Sequence, residues 1–286
     1  METDTRACGE QHGQPGGPAA GRTLHGEQAS GVRPGLLIAL AALAIGLPAA
    51  YFFYFHPVPG TPAAVQTGPL GAAVPRLPRY ADFSAEPASP DARFIANWVA
   101  DSGDNRSLPF VIIDKKNTRV YVFNASGKLL GATPVLLGAA VGDDSVPDIG
   151  KRPLSEVSPE ERTTPAGRFI GEPGRNLTGE DVVWVDYDAA VSMHRVRTGN
   201  AKEHRLERLA SPTIDDNRIS FGCVNMPVAF YENVLSPVFK VSYGVVYVLP
   251  EVKPVGEVFA AAYDPAVRHR ISGRLRRADA PGGGGA

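Results

Sequence analysis

The sequence predicts a mostly β domain with one or two short helices, preceded by a single transmembrane helix. Three observations predict it. Residues 35–55 (GLLIALAALAIGLPAAYFFYF) form an uncharged apolar run, and about 20 such residues are what a helix needs to cross a bilayer. From Leu108 onward, short runs rich in β-branched and aromatic residues alternate with turn signals. Within that region VAFYENVL (228–235) reads as helix, too little to balance the strands.

Taken in order, residues 1–34 are rich in Gly, Ala and Pro, lack an apolar pattern, and read as a disordered tail. The 35–55 span has no polar face, so a buried soluble helix does not explain it. Pro48 lies inside the span, where bilayer helices tolerate a kink, and Tyr51 and Tyr54 sit at its outer end. Arg22 and Arg33 precede the span and the first basic residue after it is Arg76, which places the N-terminus in the cytoplasm and the rest outside. A cleaved signal peptide is the alternative, but the run is longer than a usual h-region. Residues 56–106 read as a Pro/Ala-rich stalk holding a short helix over 90–100, with Ser89 as N-cap and Pro90 in the first turn. Phe94, Ile95, Trp98 and Val99 share one face of that helix, which docks on the following domain.

The folded domain spans 107–251. PFVIID and TRVYVFN form a hairpin through Lys115-Lys116-Asn117, and KLLGATPVLLG follows as a third strand after the NASG turn. Residues 139–163 make a long loop. GRFIGE, DVVWVDY and AAVSMH are further strands; in the last, Ala190, Ser192 and His194 face one way and Val191 and Met193 the other. FKVSYGVVYVL is the final strand. Residues 252–286 read as a basic flexible tail whose arginines, Arg268, Arg270, Arg274, Arg276 and Arg277, form a solvated face.

The formal net charge of −1 argues against a nucleic-acid partner, since neutralising phosphates needs a Lys/Arg excess. There is no CxxC, HExxH or phosphate loop, and the six histidines are scattered without metal-ligand spacing. No metal site or cofactor is expected. The pairs Asp143-Asp144 and Asp215-Asp216 lie in polar loops and read as solvated. Of the two cysteines, Cys8 falls on the cytoplasmic side of the span and Cys223 on the outer side, so they are not expected to pair within one chain. Cys223 is then either a buried inert thiol or one kept for its reactivity.

The segment around Cys223, Arg218-Ile219-Ser220-Phe221-Gly222-Cys223-Val224-Asn225-Met226-Pro227, favours reactivity. Gly222 removes a Cβ beside the sulfur, which lets a substrate backbone approach. Asn225 and Pro227 are helix-start signals, so Cys223 is expected beside a helix N-terminus that lowers its pKa and presents N–H groups to an oxyanion. A thiol nucleophile also wants a base. His194, at a strand end, has the rigid support a catalytic group needs; His204, in KEHRLERL, reads as a surface residue but is the alternative base.

Together these motifs resemble the L,D-transpeptidase family, with its YkuD-type β-sandwich or barrel-like catalytic domain. VIIDKKNTRVYVFNASGKLL is similar to the family's first hairpin. TTPAGRF (163–169) resembles its TPxGxF segment, SMHRV the strand end with the catalytic histidine, and SFGCVN the [ST]HGCxN nucleophile motif. The likeness covers roughly residues 108–250. It implies Cys223 as the acylated nucleophile and His194 as general base. It also implies Ser220 shaping the nucleophile turn, Gly222 and Cys223 amides at the oxyanion, Asn225 orienting substrate or capping the helix, and TPAGRF in a structural role. The sequence departs from the pattern where Phe221 replaces the usual histidine and Arg195 a small residue. The His194-to-Cys223 interval is also longer than usual, and His204 fits that spacing better.

The activity implied is acyl transfer on peptidoglycan stem peptides through a Cys thioester. It forms 3-3 cross-links, or acts as a carboxypeptidase with water, or attaches a lipoprotein acceptor. The implied location is the inner membrane, with the catalytic domain in the periplasm. Stem carboxylates call for guanidinium partners, and Arg195, Arg197 and Arg218 are the candidates near the motifs. The alternative is a non-catalytic, membrane-anchored module of the same fold that binds peptidoglycan or serves as a scaffold. A cysteine peptidase of the NlpC type places its histidine after the cysteine, and here only His269 lies there.

Overall fold

The computed structural model describes residues 76–278. The apolar run at 35–55 and the tail at 1–34 lie outside them. Among the described residues no helix is long and apolar enough to cross a membrane.

Helix α1 (Pro90–Ser102) begins where its cap dictates: the Ser89 hydroxyl accepts the Ala92 N–H, and Pro90 occupies the first turn. It ends at Gly103, whose φ of +74° suits a residue without Cβ and whose N–H returns to the Val99 carbonyl. Ten strands follow. Strands β1 (Phe110–Asp114), β2 (Arg119–Phe123) and β3 (Leu129–Pro134) form an antiparallel meander. After them come β4 (Leu137–Gly138), β5 (Gly167–Arg175), β6 (Asp181–Asp186) and β7 (Val191–Arg195). Then β8 (Arg218–Ser220), β9 (Val224–Met226) and β10 (Gly244–Val248) complete the set. Eight of them make one sheet in the order β3-β2-β1-β10-β5-β6-β7-β9, while β4 and β8 pair separately in parallel. The architecture is mostly β and barrel-like.

The sheet's alternation sorts its side chains into two cores. On one face Val111, Val120, Val183, Met193, Val224 and Val246 pack with Tyr231, Leu235 and Phe239. These last come from a helical stretch built of α3 (Val228–Phe230), a π-helical turn (Tyr231–Leu235) and α4 (Ser236–Val241). On the other face of β1, β2 and β10, Phe110, Tyr121, Phe123 and Tyr247 pack with Ile95, Trp98 and Val99 of α1. Burying each such side chain is worth roughly 1.5–3 kcal/mol, which is why α1 belongs to the domain.

Three expectations change. Part of the 56–106 stalk is integral to the fold: Phe83 is buried, the Arg79 and Ala81 amides donate to Asp101 and Asn97, and Asp82 bridges to Lys128. Residues 252–286 are not a loose tail as far as they are described, since they contain α5 (Val255–Val258) and α6 (Pro265–Ala278). There His269 Nε2 lies 2.9 Å from Asp101 and the Tyr263 hydroxyl donates to the same carboxylate. Composition alone misled because the helix is basic and its anchoring contacts are distant in sequence. The helices also exceed the one or two expected; one more, α2 (Arg205–Ala210), follows β7.

Candidate functional site

The chain changes sheets at Cys223. Strand β8 runs with β4, β9 runs with β7, and Phe221-Gly222-Cys223 is the corner between them. Ser220 ties this corner: its hydroxyl donates to the Cys223 carbonyl at 2.6 Å and accepts the Gly222 N–H at 3.1 Å. Gly222 has φ of +129°, and a Cβ there would meet the Thr163 carbonyl oxygen at 2.7 Å, so both conformation and space require glycine. The Gly222 amide is therefore engaged by Ser220 and does not point at an incoming oxyanion. Nor is Cys223 at a helix N-terminus: β9 intervenes and helix α3 starts only at Val228. Asn225 is instead the middle residue of β9, and Pro227 is the residue before that helix.

The Cys223 residue is 2% exposed. Its sulfur lies 3.4 Å from the Ser192 N–H, 3.6 Å from the Ser192 hydroxyl and 3.6 Å from the Ala190 carbonyl. Cys223 is not a free thiol in this structure. Acyl transfer would require the reduced form.

Parallel pairing of β7 with β9 sets Met193 against Val224 and His194 against Asn225. Val224 and Met193 face the core, so Ser192 and His194 share the opposite face with Cys223 and Asn225. His194 stands two residues along and one strand across from Cys223, on the order of 8 Å between Cα atoms. Its Nδ1 lies 2.7 Å from the Arg195 carbonyl oxygen. A carbonyl only accepts, so Nδ1 carries the proton and Nε2 keeps its lone pair, the tautomer of a base. Burial pushes the imidazole down to about 4, opposed by that carbonyl and reinforced by the Arg197 and Arg205 guanidiniums. His194 is therefore neutral at neutral pH. The His204 side chain is 68% exposed and sits 3.7 Å from Glu207, on the surface.

The three arginine candidates separate. Arg195 alternates away from His194: it pairs with Asp181 and Glu232 and stacks at 4.3 Å over Tyr231. Arg218 is held inside by Glu251 and the Lys115 carbonyl. Only Arg197 lies near His194, paired with Glu180 and 3.2 Å from the Thr178 hydroxyl. Asn225 caps no helix; its Oδ1 accepts from Arg205 at 2.6 Å and its Nδ2 donates to the Cys223 carbonyl. Arg205 and Arg162 were not singled out in the sequence; Ser192 was placed on the His194 face and Thr164 within TTPAGRF, but neither was given a role at the site. Ser192 carried a signal, being two residues before His194 on one strand face; Arg205, at the start of α2, and Arg162, in the loop before β5, are distant in sequence and carried none.

Among the described residues no cluster of three or more His, Cys, Asp and Glu could hold a metal ion. Pairing of Asp143 with buried Lys115 replaces the solvated reading for that residue: three backbone amides (Glu251, Val252, Lys253) also donate to it. Although burial opposes it, these donors hold its carboxyl down to about 2.

No protein-family model and no curated protein matches the chain. Solved structures do. An L,D-transpeptidase of Enterococcus faecium is 18% identical over 49% of this chain and 49% of its own, with a TM-score of 0.27. An L,D-transpeptidase from Mycobacterium smegmatis is 18% identical over 49% and 58%, at 0.29. The helical cell shape determining protein Pgp2 from Campylobacter jejuni is 14% identical over 60% and 58%, at 0.36. The chain thus spans from about half to under two thirds of these proteins' lengths. TM-scores this low carry no functional argument, and the reading below rests on this chain's own residues.

Proposed function

We propose that the chain is an L,D-transpeptidase of the bacterial envelope, anchored in the inner membrane through 35–55 with its catalytic domain in the periplasm. The observation that carries the reading is the shared face of β7 and β9. There Cys223 lies beside Ser192, and His194 follows with its Nδ1 bound by the Arg195 carbonyl. In the reduced protein Nε2 takes the thiol proton, and the Ser192 N–H, already directed at the sulfur, stabilises the thiolate.

The thiolate then attacks the stem-peptide carbonyl that precedes the terminal D-amino acid. The C–N bond breaks, His194 gives the proton to the departing amine, and a thioester remains. An amine of a second stem attacks the thioester and releases the thiol, giving a 3-3 cross-link. Water or a lipoprotein lysine would serve as acceptor by the same step. A second reading, a peptidoglycan-binding module without chemistry, is favoured by Phe221 standing where the resemblance has histidine and by the burial of Cys223.

Intact-mass labelling with a carbapenem under reducing conditions separates the two. A single adduct on the wild type and none on Cys223→Ala is expected. Reduced, folded wild type that takes no adduct would transfer the weight to the binding module.

A further inference from the structure

The TPAGRF segment was expected to be structural, yet it touches the nucleophile corner directly. Thr164 is fully buried. Its hydroxyl donates to the Gly222 carbonyl at 2.8 Å and accepts the Gly138 N–H at 2.9 Å. A Cβ on Gly222 would meet the Thr163 carbonyl oxygen at 2.7 Å, and one on Gly138 would meet the Arg162 carbonyl oxygen at 2.3 Å. The long loop thus lies in backbone contact with the corner.

The loop itself is fixed from behind. The Lys115 ammonium, fully buried, donates to the Thr164 carbonyl at 2.8 Å, the Gly142 carbonyl at 2.5 Å and Asp143 Oδ1 at 2.8 Å. Glu251 lies 3.5 Å from the same ammonium and holds Arg218, the first residue of β8. Two cations and two carboxylates balance one another, so the support is neutral as well as dry.

A trans peptide is planar, with its C=O and N–H pointing opposite ways. Fixing the Gly222 carbonyl therefore fixes the direction of the Cys223 N–H and the base of the Cα–Cβ bond that carries the sulfur. Gly222, lacking a Cβ, would otherwise leave that plane free to rotate.

We infer that Thr164 is a positioning residue for acyl transfer, its hydroxyl setting the plane of the Gly222–Cys223 peptide. The inference rests on the acyl-transfer reading above. It makes a prediction that a purely structural threonine does not. Attack on a carbonyl develops an oxyanion whose stabilisation depends on how the corner's amides are aimed. Displacement of iodide from iodoacetamide by the same thiolate forms an S–C bond and develops no oxyanion. Loss of the hydroxyl should therefore slow acylation and spare alkylation.

The test compares wild type, Thr164→Val and Thr164→Ser, reduced and shown folded by circular dichroism. Rate constants for carbapenem acylation and iodoacetamide alkylation of Cys223 are read by intact mass. The ratio of acylation to alkylation should fall roughly 10- to 100-fold in Thr164→Val and stay near wild type in Thr164→Ser. Should the valine variant not fold, Thr164→Ala carries the same comparison. A folded Val or Ala variant with the wild-type ratio would overturn the positioning role alone. Wild type that alkylates but never acylates would overturn the acyl-transfer reading and this inference with it.

Discussion

Acidification should destabilise this domain before its carboxylates titrate, and His194 is the reason. Buried on β7, its imidazole titrates near 4 in the folded protein against an ordinary 6.5. Between those values the unfolded chain holds a proton that the folded chain refuses, so stability rises with pH across that window. Each unit of separation is worth about 1.4 kcal/mol, which gives about 3 kcal/mol lost by pH 4 and about 2 kcal/mol already lost at pH 5. Asp143 has the opposite sense: held near 2 against 3.8, its stabilisation persists above 3.8 and disappears only as pH falls toward 2. The windows barely overlap. Urea denaturation at pH 7 and pH 5 would read the histidine, and His194→Gln should remove the difference while leaving any general acid effect in place. Equal losses in wild type and variant would mean that the imidazole already protonates freely, and therefore that it is neither buried nor held neutral as a base.

Two further perturbations address the loop behind the Gly222–Cys223 corner. Lys115→Met leaves Asp143 and Glu251 with one buried cation fewer and should cost about 3–5 kcal/mol in urea denaturation; a loss of about 1 kcal/mol or less would show the network to be wet and dispensable. Phe221, half-buried under the Arg162 guanidinium at 4.0 Å, should cost about 1–2 kcal/mol when cut to alanine, whereas Phe221→His should acylate about as fast as wild type. A histidine variant much faster than wild type would show that the phenylalanine had cost the site a working group.

What was legible in the sequence was whatever a local pattern enforces. The Ser89-Pro90 cap, the β1–β2 hairpin and the alternation along β7 each follow from a few adjacent residues, and each appears where the pattern puts it. The surroundings of Cys223 were misjudged because local signals there serve another purpose. Pro227 does introduce a helix, but Asn225 lies within a three-residue strand, β9, that pairs with β7 before the helix begins. Arginines were still less legible. Their side chains reach far, and nothing local distinguishes Arg197, beside the histidine, from Arg195, which strand alternation sends to the opposite face. Thr164 and Lys115, 49 residues apart in sequence, meet only in the folded chain.

Under the proposed acyl-transfer reading, Phe221 weighs less against catalysis than the motif resemblance alone suggests. The groups that chemistry needs are a sulfur, a neutral imidazole with a fixed tautomer, and an ordered peptide at the corner. On the acyl-transfer reading they would come from Cys223, His194 with the Arg195 carbonyl, and Thr164 with Ser220; none would be supplied by position 221. Phe221 instead presents an aromatic face to Arg162, a residue of the same loop whose next two positions press on Gly222 and Gly138. A polar side chain exchanged for a ring at that point changes what holds the loop down, not what attacks the carbonyl.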